Sequence, residues 1–120
     1  MCTVLVIDDE RMIQWSMERT LGAAGHTVVT AGTVAEGLAR LRDSRPDVVF
    51  LDVRLPDGDG LDMLECLQAE DGQRPVVIVM TTFDEGGVAE QAAPLGARAY
   101  MKKPFDFAGL RDLVARALQA

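Results

Sequence analysis

The sequence has 120 residues, 48% hydrophobic and 26% charged, which suits one globular domain, 1–120, that buries a core without staples. Its formal net charge of −7 argues against direct nucleic-acid binding by this chain, because phosphate neutralisation needs clustered Lys and Arg. No apolar run approaches the roughly 20 residues of a membrane span, and the opening MCTVLVIDDE lacks the basic stretch of a secretion signal.

Thr3–Ile7 (TVLVI) is a short, β-branched, apolar run that ends on Asp8-Asp9-Glu10. Ile13, Met17 and Leu21 then share one helical face, and Gly25 closes that segment. His26, the sole histidine, is expected at a solvent-exposed turn. Thr27–Ala31 (TVVTA) is a second strand, followed by a helical face of Val34, Leu38 and Leu41. After Pro46, Asp47–Leu51 (DVVFL) leads into Asp52 and the loop LDVRLPDGDG. After Pro75, Val76–Met80 (VVIVM) leads into Thr81-Thr82. The next helical segment, DEGGVAEQAAP, carries Gly86, Gly87 and Pro94, and each interior glycine costs up to ~1 kcal/mol relative to Ala. Gly96 closes it, and a weaker fifth run, Ala97–Met101 (ARAYM), enters Lys102-Lys103-Pro104. The last helix has the clearest stripe: Leu110, Leu113, Val114, Ala117 and Leu118. Cys2 and Cys66 stand far apart without a CxxC partner, which reads as two thiols in a reducing cytoplasm.

Continuous apolar runs suit strands buried on both faces, so the alternation predicts an α/β fold: (βα)₅ around a doubly wound, five-stranded parallel sheet. Such sheets place their functional crevice at the carboxyl ends of the strands. Asp8, Asp9, Asp52, Thr81 and Lys103 should therefore meet at one edge. Crowded carboxylates repel one another, and a hard divalent cation relieves the repulsion; one or two carboxylates plus waters match Mg²⁺, with Mn²⁺ a workable substitute. A lysine supplies a mobile positive charge for a phosphoryl oxygen, and a threonine hydroxyl supplies a donor. The set fits phosphoryl transfer to a carboxylate, with Asp52 as nucleophile.

Together, the Asp8-Asp9 pair, Asp52, Pro56 and Asp59-Gly60 of its loop, Met80-Thr81-Thr82 and Tyr100-Met101-Lys102-Lys103-Pro104-Phe105 resemble the bacterial two-component receiver domain along the whole chain. The Ile13–Leu21 stretch and KKPFDFAGL are similar to receivers of NtrC-type transcription activators. The resemblance implies a flavodoxin-like fold with strand order 2-1-3-4-5, phosphorylated on Asp52 by a sensor histidine kinase. It implies Mg²⁺ on Asp9, Asp52 and the backbone carbonyl of Arg54, with Asp8 acting mostly through water. Thr81 and Lys103 would contact the phosphoryl group, Tyr100 would follow Thr81 as the switch aromatic, and Lys103-Pro104 would be cis. The face made by the fourth helix, fifth strand and fifth helix would then change, controlling an output domain or downstream protein and offering a homodimer surface. The chain would be a cytoplasmic phosphoacceptor switch rather than an enzyme, assisting only its own phosphorylation and slow dephosphorylation. Arg54 and Phe83, two places after Asp52 and Thr81, would flank the path of hydrolytic water and prolong the phosphorylated state.

Two other classes fit less well. A haloacid-dehalogenase-like phosphatase needs a second Asp two residues after the nucleophile, where this chain has Arg54. A flavodoxin needs a hydroxyl- and glycine-rich loop after the first strand, where acids stand here. Simpler roles also exist for single residues. Asp8, Asp9 and Glu10 could serve the N-terminus of the first helix. An EF-hand starting at Asp57 would put Asp62 and Gln68 where Gly and Glu are required, which rules it out.

Overall fold

The computed structural model describes residues 2–69, 75–81, 96–102 and 109–118, with the backbone alone for residues 66–69 and Lys102. Five parallel strands, β1 (Thr3–Ile7), β2 (Thr27–Ala31), β3 (Val48–Asp52), β4 (Val76–Thr81) and β5 (Ala99–Lys102), form one sheet in the order 2-1-3-4-5. The helices are α1 (Arg11–Ala23), α2 (Val34–Ser44), α3 (Gly60–Ala69) and a last helix, Leu110–Leu118.

Side chains alternate across a strand, so each apolar run feeds two cores. Leu5, Ile7, Val49, Leu51, Val77 and Val79 pack with Met63 and Leu64 of α3 and with Leu38 and Leu41 of α2. Val4, Val6, Val48, Phe50, Ile78 and Met80 pack with Met17 and Leu21 of α1 and with Leu110, Val114 and Ala117 of the last helix. Burying each of the larger aliphatic side chains contributes about 1.5–3 kcal/mol, so a sheet covered on both faces suffices to hold its edge fixed.

Three strands differ in their boundaries from the sequence-based expectation. β3 begins after Asp47, whose backbone N–H and carboxylate both bond to Thr3, and pairing with β4 carries it on to Asp52. β4 likewise includes Thr81, and β5 shifts toward Lys102 to stay paired with it. Leu118 is 42% exposed. At 3.6 residues per turn it lies about 80° round from Leu110, at the margin of the stripe rather than within it. Gly25, just past α1, has φ 95° and Gly96 has φ 99°, the left-handed geometry that favours glycine. His26 is not at an exposed turn. Its ring is half-buried against Cys2, whose N–H donates to Nδ1 at 3.2 Å and whose Sγ lies 3.3 Å from the same atom. Burial, then the nearby Asp47 charge, pushes the Cys2 thiol pKa up, away from reactivity. The expected fourth helix and the Cys66 side chain lie outside the described residues. Among the described residues, no helix is long and apolar enough to cross a membrane.

Candidate acidic site at the sheet edge

The central strands end side by side, and their last residues are polar. Asp8 follows β1 and is 0% exposed, Asp52 ends β3 at 7%, and Thr81 ends β4 at 6%. Exposed Asp9 opens this buried set to solvent, and carboxylate oxygens of Asp8, Asp9 and Asp52 all lie within 4.8 Å of one another. Two like charges about 4 Å apart repel by about 4 kcal/mol at the effective dielectric of a protein surface. Folding therefore assembles a site whose charge a cation would offset, and its hard oxygen donors fit a small divalent ion.

Backbone geometry holds the acids in place. The Asp8 N–H donates to the Ala31 carbonyl at 2.9 Å, and Asp8 Oδ1 accepts from the Glu10 N–H at 2.9 Å. Glu10 is the N-cap of α1 but makes no capping bond with its side chain, and the first turn of α1 contains no acid. Asp9, just before that N-cap, joins the carboxylate cluster. Just past β3, the Val53 N–H donates to the Met80 carbonyl at 3.1 Å, and the Arg54 N–H points at Asp52 Oδ1 at 3.4 Å. The Arg54 side chain is exposed at the rim.

The loop after Asp52 is a small hairpin in which Arg54–Leu55 pairs antiparallel with Gly58–Asp59. Its end turns back sharply enough for the Gly60 N–H to reach the Val53 carbonyl at 2.6 Å. A Cβ at Gly60 would overlap the Asp52 carbonyl oxygen, so only glycine lets the chain pass this close to the phosphoacceptor candidate. Asp59 Oδ1 accepts from the Leu61 N–H at 2.8 Å, fixing the start of α3.

Asp57, at the hairpin tip, reaches a different helix. Its two carboxylate oxygens accept from the Val34 N–H at 2.7 Å and the Ala35 N–H at 3.1 Å, in the first turn of α2. Those two backbone bonds hold its carboxyl below the usual carboxylate range. Thr33 and Glu36 complete the terminus: Thr33 Oγ1 accepts from the Glu36 N–H at 3.0 Å, and Glu36 Oε1 accepts from the Gly32 N–H at 2.7 Å. The sequence reading weighed Asp57 only as a calcium ligand and missed this role; nothing local signals a partner 23 residues away.

Tyr100 is half-buried on β5, opposite Val79. Lys103 and Phe83 lie outside the described residues, as does the Lys103-Pro104 bond. Thr81 pairs with Lys102, the residue before Lys103.

Residues 4–115 match the response regulator receiver domain family. The chain belongs to that family. It is 39% identical over 115 residues to the DNA-binding transcriptional regulator NtrC of Escherichia coli strain K12, covering 96% of this chain and 24% of NtrC. The response regulator protein PilR of Pseudomonas aeruginosa is 37% identical over 115 residues, which are 96% of this chain and 26% of PilR. The chain thus spans about a quarter of the length of these curated relatives. Among solved structures, the chemotaxis response regulator CheY4 of Vibrio cholerae superposes with a TM-score of 0.89 at 28% identity, covering 98% of this chain and 99% of that one. The receiver is homologous to those of NtrC and PilR, in keeping with a phosphorylation-activated switch in transcription control.

Proposed function

We propose that Asp52 accepts a phosphoryl group from the phosphohistidine of a sensor kinase, and that 1–120 is the receiver unit through which this event acts. The observation that carries the reading is the convergence of the Asp8, Asp9 and Asp52 carboxylates at the edge of the sheet, beside buried Thr81. Asp9, Asp52 and the Arg54 carbonyl would hold Mg²⁺ or Mn²⁺, with Asp8 acting through water. When bound, the ion supplies positive charge to offset that of the transferring group.

An oxygen of the Asp52 carboxylate attacks phosphorus as the phosphorus–nitrogen bond of the donor breaks. The electron pair returns to the imidazole nitrogen, which takes up a proton, and an aspartyl phosphate remains on the chain. The Thr81 hydroxyl donates to the new phosphoryl oxygens, and Lys103 pairs with them as a mobile charge. Movement of Thr81 vacates space for Tyr100, which passes the change to the face of the fifth strand and its flanking helices. That face is the surface for an output domain, a downstream protein or a second copy of the chain. The −7 charge makes nucleic acid an unsuitable direct partner, and a cytoplasmic setting matches a kinase donor and reduced thiols.

The role is that of a switch, so each chain should accept one phosphoryl group and hold it. Acetyl phosphate with Mg²⁺ should add a single phosphoryl mass, mapped to Asp52. Absence of a stable adduct, with continuous release of phosphate instead, would replace the switch by a phosphatase.

A further inference from the structure

Gln14 sits one turn into α1, and its side chain turns inward to the acidic edge. Nε2 donates to the Asp8 carbonyl oxygen at 2.6 Å and to the Ala31 carbonyl oxygen at 3.3 Å. Both acceptors are backbone carbonyls, so the amide must present its NH₂ group, and its two hydrogens match two acceptors. The same two residues are already joined, because the Asp8 N–H donates to the Ala31 carbonyl at 2.9 Å. Gln14 thus closes a three-way junction between the end of β1, the end of β2 and the first turn of α1. Asp8 Oδ1 leaves that junction to accept from the Glu10 N–H, and Asp9 lies between them. The side chain is neutral, so it braces the turn without adding a charge beside the acids. The space against Gly32 is open enough for the amide, since a Cβ there would sit 3.7 Å from Nε2.

We infer that Gln14 is a positioning residue for the metal site: it sets the direction of the Asp8-Asp9 turn and hence the spacing of these carboxylates from Asp52. This rests on the Mg²⁺ reading above, but the junction itself can be probed without metal. The effect runs through the backbone of the ligand residues. Outer partners of metal ligands typically change affinity by about 10- to 100-fold, and the lower figure suits an indirect contact.

Two near-isosteric variants test it. Gln14→Met keeps shape and helix preference but has no donor; Gln14→Glu keeps shape and, when ionised, sets an acceptor against two carbonyls. Circular dichroism first confirms that both are folded at the working temperature. Calorimetric titration should then show Mg²⁺ binding about tenfold weaker in Gln14→Met, and weaker in Gln14→Glu as well. The Glu variant is decisive, because a purely electrostatic influence would make an added negative charge bind Mg²⁺ more tightly. Phosphorylation of Gln14→Met by acetyl phosphate should return to within about twofold of the wild-type rate once Mg²⁺ is raised tenfold or more, as a weakened binding constant requires. In metal-free protein, the Glu10 amide should exchange its hydrogen about fivefold faster in Gln14→Met, the factor one net hydrogen bond supplies. Unchanged Glu10 exchange, unchanged Mg²⁺ affinity with only a lower Tm, or tighter binding by Gln14→Glu each overturns the inference. If wild type itself fails to bind Mg²⁺, the metal reading falls, and the positioning role with it; the exchange result then reports only whether the junction braces the turn.

Discussion

The turn after β1 and the loop after β3 are both rich in aspartate, and they use it in opposite ways. Asp8 and Asp9 stay at the sheet edge, where they share a small space with Asp52. In the hairpin beyond Asp52, Asp57 and Asp59 turn away and accept from helix N–H groups, on α2 and α3 respectively. One set faces like charge, which opposes folding and invites a cation; the other faces the positive ends of helices, which supports folding. Carboxylate chemistry is the same in both. What differs is the backbone each one meets. The site acids should therefore be needed for activity while straining the fold, and the capping acids the reverse.

The strongest break of that comparison is Asp52→Asn. An amide oxygen is a poor nucleophile, so no phosphoryl mass should appear after treatment with acetyl phosphate and Mg²⁺. The metal-free variant should melt no lower than wild type, because one of three crowded charges has gone. Incorporation at an undiminished rate would remove Asp52 as acceptor, and a lower Tm would remove the strain argument.

Asp9→Ala and Asp8→Ala sharpen the division within the site. Asp9→Ala should lose more Mg²⁺ affinity by calorimetry, and without metal it should gain about 1 kcal/mol or more from relieved repulsion. Asp8→Ala relieves the same repulsion but removes the bond that Asp8 Oδ1 accepts from the Glu10 N–H, a loss of about 1 kcal/mol, so its metal-free stability should change little. Equal Mg²⁺ affinities in the two variants would end the distinction between a direct ligand and one acting through water.

Gly60→Ala tests the joint between the two sets. The added Cβ meets the backbone of Asp52 rather than a side chain that could swing aside. Chemical denaturation should show a loss of about 1–3 kcal/mol, with slower phosphorylation as Asp52 shifts. Full activity with a reduced midpoint would mean that the loop yields and Asp52 does not.

The sheet and its acidic edge were legible because both rest on local pattern. β-branched runs announce strands, and a parallel sheet brings their ends together whatever the register. The one-residue displacement of β3 was not legible, since pairing with β4 decides where that strand stops. Gln14, Asp57 and the Cys2–His26 pair were missed for a shared reason. Each bond joins a side chain to a group on another element, at separations such as 22 for Asp57–Ala35 and 24 for Cys2–His26. Gln14 reads locally as an ordinary polar helix residue, and only the return of β2 to β1 gives its amide two carbonyls to bridge.

The mildest test concerns Asp57, and it isolates capping from catalysis. Folding lowers this carboxyl's pKa by giving it two N–H donors, Val34 first and Ala35 second. A group whose pKa falls on folding stabilises the native state fully above its unfolded value, near 3.9 for aspartate. That contribution fades as pH falls through the lower, folded value. Asp57→Asn removes the charge and one acceptor atom while keeping the size, so its Tm should lie below wild type at pH 7. The gap should begin to narrow once pH drops below about 4, where the unfolded carboxyl takes up its proton, and close at lower pH as the folded carboxyl follows. Since Asp57 is fully exposed, solvent screens the interaction, and the shift should be small. Phosphoryl incorporation at Asp52 should persist, because Asp57 faces α2 and not the cluster. Melting curves from pH 3 to 7 decide the first point: a constant gap means that charge is not what Asp57 contributes. Mass spectrometry decides the second, and loss of incorporation as complete as in Asp52→Asn would show that the two sets of acids are one.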